Sequence, residues 1–583
     1  MRKDERIEET IRKILRILYT LNIPIKIVNV SNVFEYIYSV QVEFGDNLGI
    51  KTNGKGCSFE QALASALAEG MERIQTRNSF KFWYSSKCVP QKYLYPEYIT
   101  EVKLERELEK YFEKYKTYKI YKFRLDFYEL KTEKVVSLPD RLINLLCGSN
   151  GLCAGNTKKE ALVQGICEIF ERYVRKLSSK RRMEIPYIDE HTVEKNACKM
   201  FTFLNELSKL GYKWKVLDCT IDSKYPVIGF LLLHKNKQKY IFTMGSDIDF
   251  EIALERCVTE MFQGKNIEDI EEYMNKIEFT AADDEKIWSV CQNSSYYAFI
   301  DNYINNMGEN DWTLFFSTNK KEEIPSVFQK CKNNEEAYDA LIRIIDKLNL
   351  NAYFFDYSYL GFCSYRVYIP ELSDIFEFEK ENFEFINDIP NSFEKIIHIE
   401  TLERSEKQKL VKKLVSLSSN FNYRRNSFEK VIFKFLGKKD FDFNYLYLDF
   451  VISLIYIDLQ DFNNAYKFYK RFSYEHNILS EENENQLLKV IYIYLQQIKL
   501  YNKELEVIYS ELSDLFDDNY NKYIYMNLKN NTILSIVYWP NCPECVNCIY
   551  SPECKFDDWE KINNLLSEKQ KNYYQNREEE VNE

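Results

Sequence analysis

One charged pattern occurs twice in this chain, about a hundred residues apart, and it restricts the available folds more than any other feature. Ser65-Ala-Leu-Ala-Glu69-Gly-Met-Glu72-Arg73 and Gln164-Gly-Ile-Cys-Glu168-Ile-Phe-Glu171-Arg172 each run from a polar residue to a glutamate four positions on, then to a second glutamate followed by arginine. On a helix turning about 100° per residue, Ser65, Glu69, Glu72 and Thr76 share a stripe, with Leu63, Leu67, Met71 and Ile74 opposite. In the second copy Glu160, Gln164, Glu168, Glu171 and Arg175 share a stripe, backed by Leu162, Ile166, Ile169 and Tyr173. The apolar side of each helix must pack, and the two acidic sides then offer four carboxylates in matched geometry.

Like charges at i and i+3 weaken a helix by roughly a few tenths of a kcal/mol unless a cation is shared. One such motif reads most simply as a solvated face with an intrahelical ion pair, but duplication at the same offsets points to a ligand. Magnesium takes carboxylate oxygens and keeps positions for water and phosphates, so two facing Glu pairs suit nucleotide-bound magnesium, with Arg73 and Arg172 meeting phosphate oxygens. Small-residue loops, Thr52-Asn-Gly-Lys-Gly-Cys-Ser58 and Gly148-Ser-Asn-Gly-Leu-Cys-Ala-Gly-Asn156-Thr157, precede the two helices. Ser58 with Gln61, and Thr157 with Glu160, read as capping boxes at helix N-termini open to an anion. Neither loop has Walker A spacing, and no strand leads into GxGxxG, which disfavours ordinary P-loop and dinucleotide folds. A third helix, Ala253-Leu-Glu255-Arg256-Cys-Val-Thr-Glu260-Met-Phe-Gln263-Gly264, places Arg256, Glu260 and Gln263 on one face. Lys3 precedes an amphipathic N-terminal helix through Ile7, Ile11, Ile14, Leu15 and Leu18.

Together these residues resemble the YcaO family, whose ATP site is built from a Ser-x3-Glu-x2-Glu-Arg helix and a Gln-x3-Glu-x2-Glu-Arg helix. Both motifs are complete here, and Ser149 to Thr157, Ala253 to Gly264, Tyr225-Pro-Val-Ile228 and Pro370-Glu-Leu-Ser-Asp-Ile375 add to the resemblance, which spans most of residues 1–390. It implies that Glu69, Glu72, Glu168 and Glu171 ligate magnesium, and that Arg172, Arg256 and Lys3 contact the phosphates of ATP. Ser65, Asn156, Glu160 and Gln164 would line the rest of the nucleotide pocket. Thr10 and Cys153 stand where the family's founding group has serine, and Cys153 lacks the hydroxyl.

Family members use ATP to activate a peptide backbone amide, the nucleophile coming from Cys, Ser or Thr of the substrate in azoline formation; others make thioamides or amidines. The founding group is linked instead to methylthiolation of an aspartate in ribosomal protein S12, as accessory to a radical methylthiotransferase. The resemblance therefore implies a peptide or ribosomal protein substrate, a radical methylthiotransferase as partner, and a homodimer. Azoline-forming members commonly end in a proline-rich tail, whereas this sequence ends Gln-Asn-Arg-Glu-Glu-Glu-Val-Asn-Glu583, which favours the accessory-factor group. A cyclodehydratase or thioamide synthase, and a non-enzymatic ATP-binding adaptor, are the alternatives.

At 583 residues the chain exceeds one hydrophobic core. Residues 1–390 mix strand-like runs (Pro226 to Leu233, Tyr240 to Met244, Leu350 to Tyr357, Tyr365 to Ile369) with amphipathic helices, which reads as an α+β nucleotide-binding core. Over 400–530 strand signals fade, and Asp461-Phe-Asn-Asn-Ala465-Tyr-Lys-Phe-Tyr469 resembles a tetratricopeptide helix start. The segment 531–583 carries Cys542, Cys545, Cys548 and Cys554, a spacing that suits zinc or an iron-sulfur cluster in a reducing compartment. A net charge of -11 with interspersed signs predicts no general nucleic-acid affinity. The charged N-terminus lacks an apolar signal core, and Phe450 to Leu459 is too short to span a bilayer, so a cytoplasmic protein without membrane contact is expected.

Overall fold

A computed structural model describes residues 2–34, 36–45, 50–76, 106–115, 124–181, 185–233, 240–264, 319–375, 395–396, 398–418, 448–475, 478–479, 486–513, 515–516, 518–536 and 556–582. The chain divides into two compact units, one built on residues 1–81, 95–378 and 559–583, the other on 82–94 and 379–558.

In the first unit, α1 (Ile7–Thr20) leads into an antiparallel sheet of β1 (Ile25–Phe34), β2 (Ile37–Phe44) and β3 (Ile50–Gly56), and β3 runs almost directly into α2 (Phe59–Gln75). Strand β3 alternates, burying Ile50, Thr52, Gly54 and Gly56 against α2. The Thr52 hydroxyl donates to the Ala66 carbonyl at 2.7 Å. A Cβ at Gly54 would lie 1.9 Å from the Ala62 oxygen, so helix and strand approach as closely as backbone allows, and only glycine fits there.

The chain continues through α3 (Arg106–Phe112), β4 (Leu125–Glu129), β5 (Val135–Leu138), α4 (Asp140–Cys147), β6 (Leu152–Gly155) and the long α5 (Lys158–Arg181). Next come β7 (Tyr187–Ile188), α6 (Glu190–Asn196), α7 (Cys198–Lys209), β8 (Lys213–Asp218), β9 (Val227–Leu233), β10 (Tyr240–Ser246) and α8 (Phe250–Met261). The core closes with β11 (Lys320–Lys321), α9 (Asn334–Lys347), β12 (Tyr353–Asp356) and β13 (Cys363–Tyr368). Two five-stranded sheets result among the described residues, ordered β10-β9-β8-β7-β11 and β5-β4-β12-β13-β6. All the pairings are antiparallel except β7 with β11, as expected for α+β.

Helix α5 runs through one core shared by both sheets. Ile166, Phe170 and Val174 join Leu217, Leu231 and Phe242 of one sheet, Phe354 and Val367 of the other, and Ala337 and Leu341 of α9. A helix walled on most sides must be apolar on most sides, and α5 is, leaving Gln164, Glu168, Glu171, Arg172, Tyr173 and Arg175 half-buried. Each fully buried Leu, Ile or Phe of this core is worth about 1.5–3 kcal/mol relative to exposure. The opposite face of the β8-β9-β10 sheet packs on α7 and α8 through Phe203, Leu207, Trp214, Phe230, Leu254 and Val258.

The second unit is helical in its described part: α10 (Arg404–Ser418), α11 (Leu448–Asp458), α12 (Phe462–Glu475), α13 (Gln486–Tyr501), α14 (Leu505–Leu512) and α15 (Asp518–Lys529). The apolar run of the sequence is α11, buried nearly all round, with Asp449 paired to Arg471 and Asp458 to Lys407 at 2.9 Å. Asp461 caps α12 by accepting the Asn464 N–H at 3.1 Å. Tyr469 donates to the Leu488 carbonyl at 2.9 Å, joining α12 to α13, and Tyr494 to Asn521 Oδ1 at 2.8 Å, joining α13 to α15.

The last helix, α16 (Phe556–Asn582), returns to the first unit from residue 559 onward. The Tyr574 hydroxyl donates to the Asp356 carbonyl at 2.7 Å, Tyr573 donates to Asp356 Oδ2 at 3.1 Å, and the Tyr574 ring lies 5.8 Å from that of Phe355. Cys542, Cys545, Cys548 and Cys554 lie outside the described residues. Among the described residues no helix is long and apolar enough to cross a membrane.

Candidate functional site

Helix α2 starts as its sequence directs. Ser58 Oγ accepts the Gln61 N–H at 3.2 Å, and Gln61 Oε1 reaches back to the Cys57 N–H at 3.0 Å. At α5 half of the expected box forms: Thr157 Oγ1 accepts the Glu160 N–H at 3.2 Å, but the Glu160 carboxylate turns elsewhere. It accepts Lys3 Nζ at 2.9 Å, the Asp4 N–H at 3.0 Å and the Asn156 amide at 3.2 Å and 3.3 Å. An N-terminal segment distant in sequence thus outcompetes the local cap. The stretches read as loops before the two helices are also largely strand, since β3 and β6 occupy them and deliver the chain straight into the helix N-termini.

The two acidic stripes converge. Burial pushes the Glu72 carboxyl up to about 8; Arg73 opposes this, while Glu168 and Glu69 reinforce it. Glu168 is likewise raised by burial, opposed by Arg172 and reinforced by Glu171. A carboxylate on one helix raises a carboxyl on another only if the two lie within electrostatic reach, as Glu168 does for Glu72. Arginines temper the repulsion: Arg73 pairs with Glu69 at 3.2 Å and approaches Glu72 at 3.9 Å, Arg172 pairs with Glu168 at 2.6 Å, and Arg175 with Glu171 at 2.9 Å. In this arrangement the four carboxylates do not close into a coordination shell, and no group of three or more His, Cys, Asp and Glu among the described residues is gathered to hold a metal ion. The donor set still fits magnesium chemically, because buried, mutually repelling carboxylates are what a hard divalent cation relieves.

Around this centre the other expected residues fall as follows. Thr10, on α1, donates to Asn156 Oδ1 at 2.9 Å, so Thr10, Asn156, Glu160 and Lys3 form one connected group beside the start of α5. Ser65 and Gln164 are half-buried on their helices' polar stripes. Arg256, on α8, lies within electrostatic reach of Glu168. Cys153 is fully buried on β6, its thiol bonded to the Tyr365 carbonyl at 3.5 Å and packed where a Cβ on Gly165 would come within 2.8 Å. Burial, reinforced by Glu72 and Glu168, holds that thiol far above its ordinary range.

Three features escape a sequence reading. Lys55, at the end of β3, pairs with Glu260 of α8, and burial lowers its ammonium to about 8 while Glu171, Glu69 and Glu168 support it. Arg366, 1% exposed, donates to Asn144 Oδ1 at 2.7 Å and to the carbonyls of Gly148 at 3.0 Å and Asn150 at 3.3 Å, pinning the chain ahead of β6 while its charge acts on Glu72. The N-terminal segment is stitched down by Arg2 to Asp247 and by Asp4 to Thr157 and Asn334. The Lys55 position alone carried a local signal, a lysine between two glycines ahead of the first acidic helix.

A Haemophilus influenzae protein of uncharacterised function is 27% identical over 399 residues, covering 64% of this chain and 66% of that one. The Escherichia coli ribosomal protein S12 methylthiotransferase accessory factor YcaO is 26% identical over 403 residues, covering 65% and 66%. The chain thus spans slightly under two thirds of the length of these curated relatives. The structure of YcaO from Methanopyrus kandleri bound with AMPPCP and Mg2+ is 15% identical, with a TM-score of 0.42, covering 65% of this chain and 96% of that one. Residues 53–373, more than half of the 583, match the family described as YcaO cyclodehydratase, ATP- and Mg2+-binding, and the chain belongs to the YcaO family.

Proposed function

We propose that this protein binds ATP with magnesium between α2 and α5 and uses it in modifying a peptide or protein, most specifically as an accessory factor in β-methylthiolation of a small-subunit ribosomal protein. The observation that carries the reading is that charges meet across two separate helices: Glu168 of α5 raises Glu72 of α2, and Arg73 of α2 in turn lowers Glu168. Glu69, Glu72, Glu168 and Glu171 would hold the magnesium, which supplies charge neutralisation at the phosphates of the bound nucleotide. The arginines now paired to those glutamates, Arg73 and Arg172, would pass to phosphate oxygens, joined by Arg256 and Lys3. Ser65, Thr10, Cys153, Asn156, Glu160 and Gln164 would shape the rest of the pocket. That the E. coli relative is a methylthiotransferase accessory factor supports the accessory function, and membership of the YcaO cyclodehydratase family supports backbone-amide activation.

In the amide-activating reading, a nucleophile adds to a backbone carbonyl carbon, and its oxygen takes the γ-phosphoryl group from ATP as ADP departs. Phosphate then leaves with that oxygen, and the chain's own contribution is positioning and charge stabilisation by its arginines. Magnesium-dependent binding of ATP should be lost in Glu69→Gln and Glu168→Gln variants that remain folded, and normal binding in both would reject the site. Comparative proteome mass spectrometry with and without the protein separates the readings. Loss of the methylthio mass on the ribosomal protein supports the accessory role. Loss of a backbone mass change in another peptide supports a cyclodehydratase or thioamide synthase. For the segment outside the described residues, we propose that Cys542, Cys545, Cys548 and Cys554 hold zinc or an iron-sulfur cluster; metal analysis of the purified protein against a Cys545→Ser variant tests this.

A further inference from the structure

Resting on the nucleotide site proposed above, we infer that the hairpin of β12 and β13 is the spacer that sets the distance between the two acidic helices, with Gln75, Asp356 and Tyr573 as its positioning residues. One arm of the hairpin leads to α5. β13 pairs with β6, Cys363 opposite Gly155 and Tyr365 opposite Cys153, and β6 runs into α5. The Cys363 thiol donates to the Asn156 carbonyl at 3.7 Å, and Val367 packs so closely on α5 that a Cβ on Gly165 would come within 3.0 Å of its methyl. The turn of the same hairpin holds α2. Gln75, the last residue of α2 and three positions past Glu72, is fully buried. Its amide nitrogen donates to the Phe362 carbonyl at 2.9 Å and to Ser364 Oγ at 2.5 Å, and its amide oxygen accepts the Leu360 N–H at 3.0 Å.

The hairpin is itself fastened by α16. Asp356, buried at the end of β12, accepts the Ser358 N–H at 2.8 Å on one carboxylate oxygen and the Tyr573 hydroxyl at 3.1 Å on the other. Ser358 Oγ accepts the Ser364 N–H at 3.1 Å, and Ser364 is the residue that Gln75 binds. A line of hydrogen bonds therefore runs from α16 through Asp356, Ser358 and Ser364 to Gln75, one helical turn from Glu72. Both ends of Gln75's amide are answered by a single turn of chain, so α2 cannot shift against the hairpin without stranding buried polar atoms. Such a constraint matters most to a metal. Magnesium demands near-octahedral oxygens at about 2.0–2.1 Å, so a displacement of α2 against α5 disturbs ligation by glutamates of both helices. The group of Lys3, Thr10, Asn156 and Glu160 beside the start of α5 contains no residue of α2 and is spared.

Titration calorimetry on the full chain tests this with Mg·AMPPCP and with metal-free AMP as probes, using wild type, Gln75→Met, Tyr573→Phe and the double variant. Thr192→Val, which removes a hydrogen bond to the Glu322 carbonyl of 2.7 Å on α6, controls for a general loss of stability. Gln75→Met should weaken Mg·AMPPCP about 10-fold and raise the magnesium concentration for half-maximal binding, while AMP changes less than about twofold. Tyr573→Phe should weaken Mg·AMPPCP about threefold in the wild-type background and add nothing to Gln75→Met, because both act through one line of contacts. Unchanged Mg·AMPPCP binding in Gln75→Met, equal loss of both probes, a matching loss in Thr192→Val, or additive effects in the double variant would overturn the assignment. Should Gln75→Met fail to fold, the same difference between the probes in Tyr573→Phe decides. Absence of Mg·AMPPCP binding in wild type would instead overturn the nucleotide site itself, and is told apart because no variant is then needed to see it.

Discussion

Glu72 is 8% exposed, lies within electrostatic reach of Glu168 and Glu69, and is held up to about 8 chiefly by burial. A carboxyl whose folded value exceeds its ordinary 4.5 binds its proton more tightly in the folded state, so the folded state loses stability as pH rises from about 4.5 to about 8. A glutamine there mimics the protonated form. The nucleotide-free Glu72→Gln protein should therefore melt higher than wild type at pH 8.5, with the difference shrinking towards pH 5, while its affinity for Mg·ATP falls. Differential scanning fluorimetry across that pH range checks the sign, and a variant less stable than wild type at pH 8.5 would remove the repulsion argument. Arg366 behaves oppositely. Its replacement by Met orphans the Gly148 and Asn150 carbonyls and should cost about 2–5 kcal/mol, read from urea unfolding.

At the scale of elements, α2 and α5 were legible because a stripe of charge opposite a stripe of Leu, Ile and Met survives any packing. β9, β10, β12 and β13 were legible from their β-branched and aromatic runs. β3 and β6 were not: Thr52-Asn-Gly-Lys-Gly56 and Leu152-Cys-Ala-Gly155 have turn composition, and they extend only because β2 and β13 hydrogen-bond them. The Glu160 cap was misread for a similar reason, since its partners Lys3 and Asp4 lie more than 150 positions away. Lys55 carried a local signal whose meaning came from α8, across the fold. The closeness of β3 and α2 gives a direct test. Gly54→Ala places a methyl against the Ala62 carbonyl and should destabilise the protein by about 1–3 kcal/mol or prevent folding, whereas Ser58→Ala, which only removes a cap, should cost about 1 kcal/mol. Comparable melting temperatures for the two variants would contradict the packing described.

For the molecule as a whole, the first unit is discontinuous in sequence, taking its final helix from beyond the second unit. The segment assigned from sequence to a cysteine-bearing tail thus also supplies core contacts, through Tyr573 and Tyr574 on Asp356 and Phe355. Tyr574→Ala should cost about 3 kcal/mol in urea unfolding, and Tyr574→Phe about 1 kcal/mol, the first for lost packing and the second for one hydrogen bond. Translation therefore delivers this helix of the first unit only after residues 379–558 of the second have been made. Until residue 574 clears the exit tunnel, the β12 segment around Phe355 has no cover from α16, and a nascent chain stalled short of that point holds an unfinished core however long it waits.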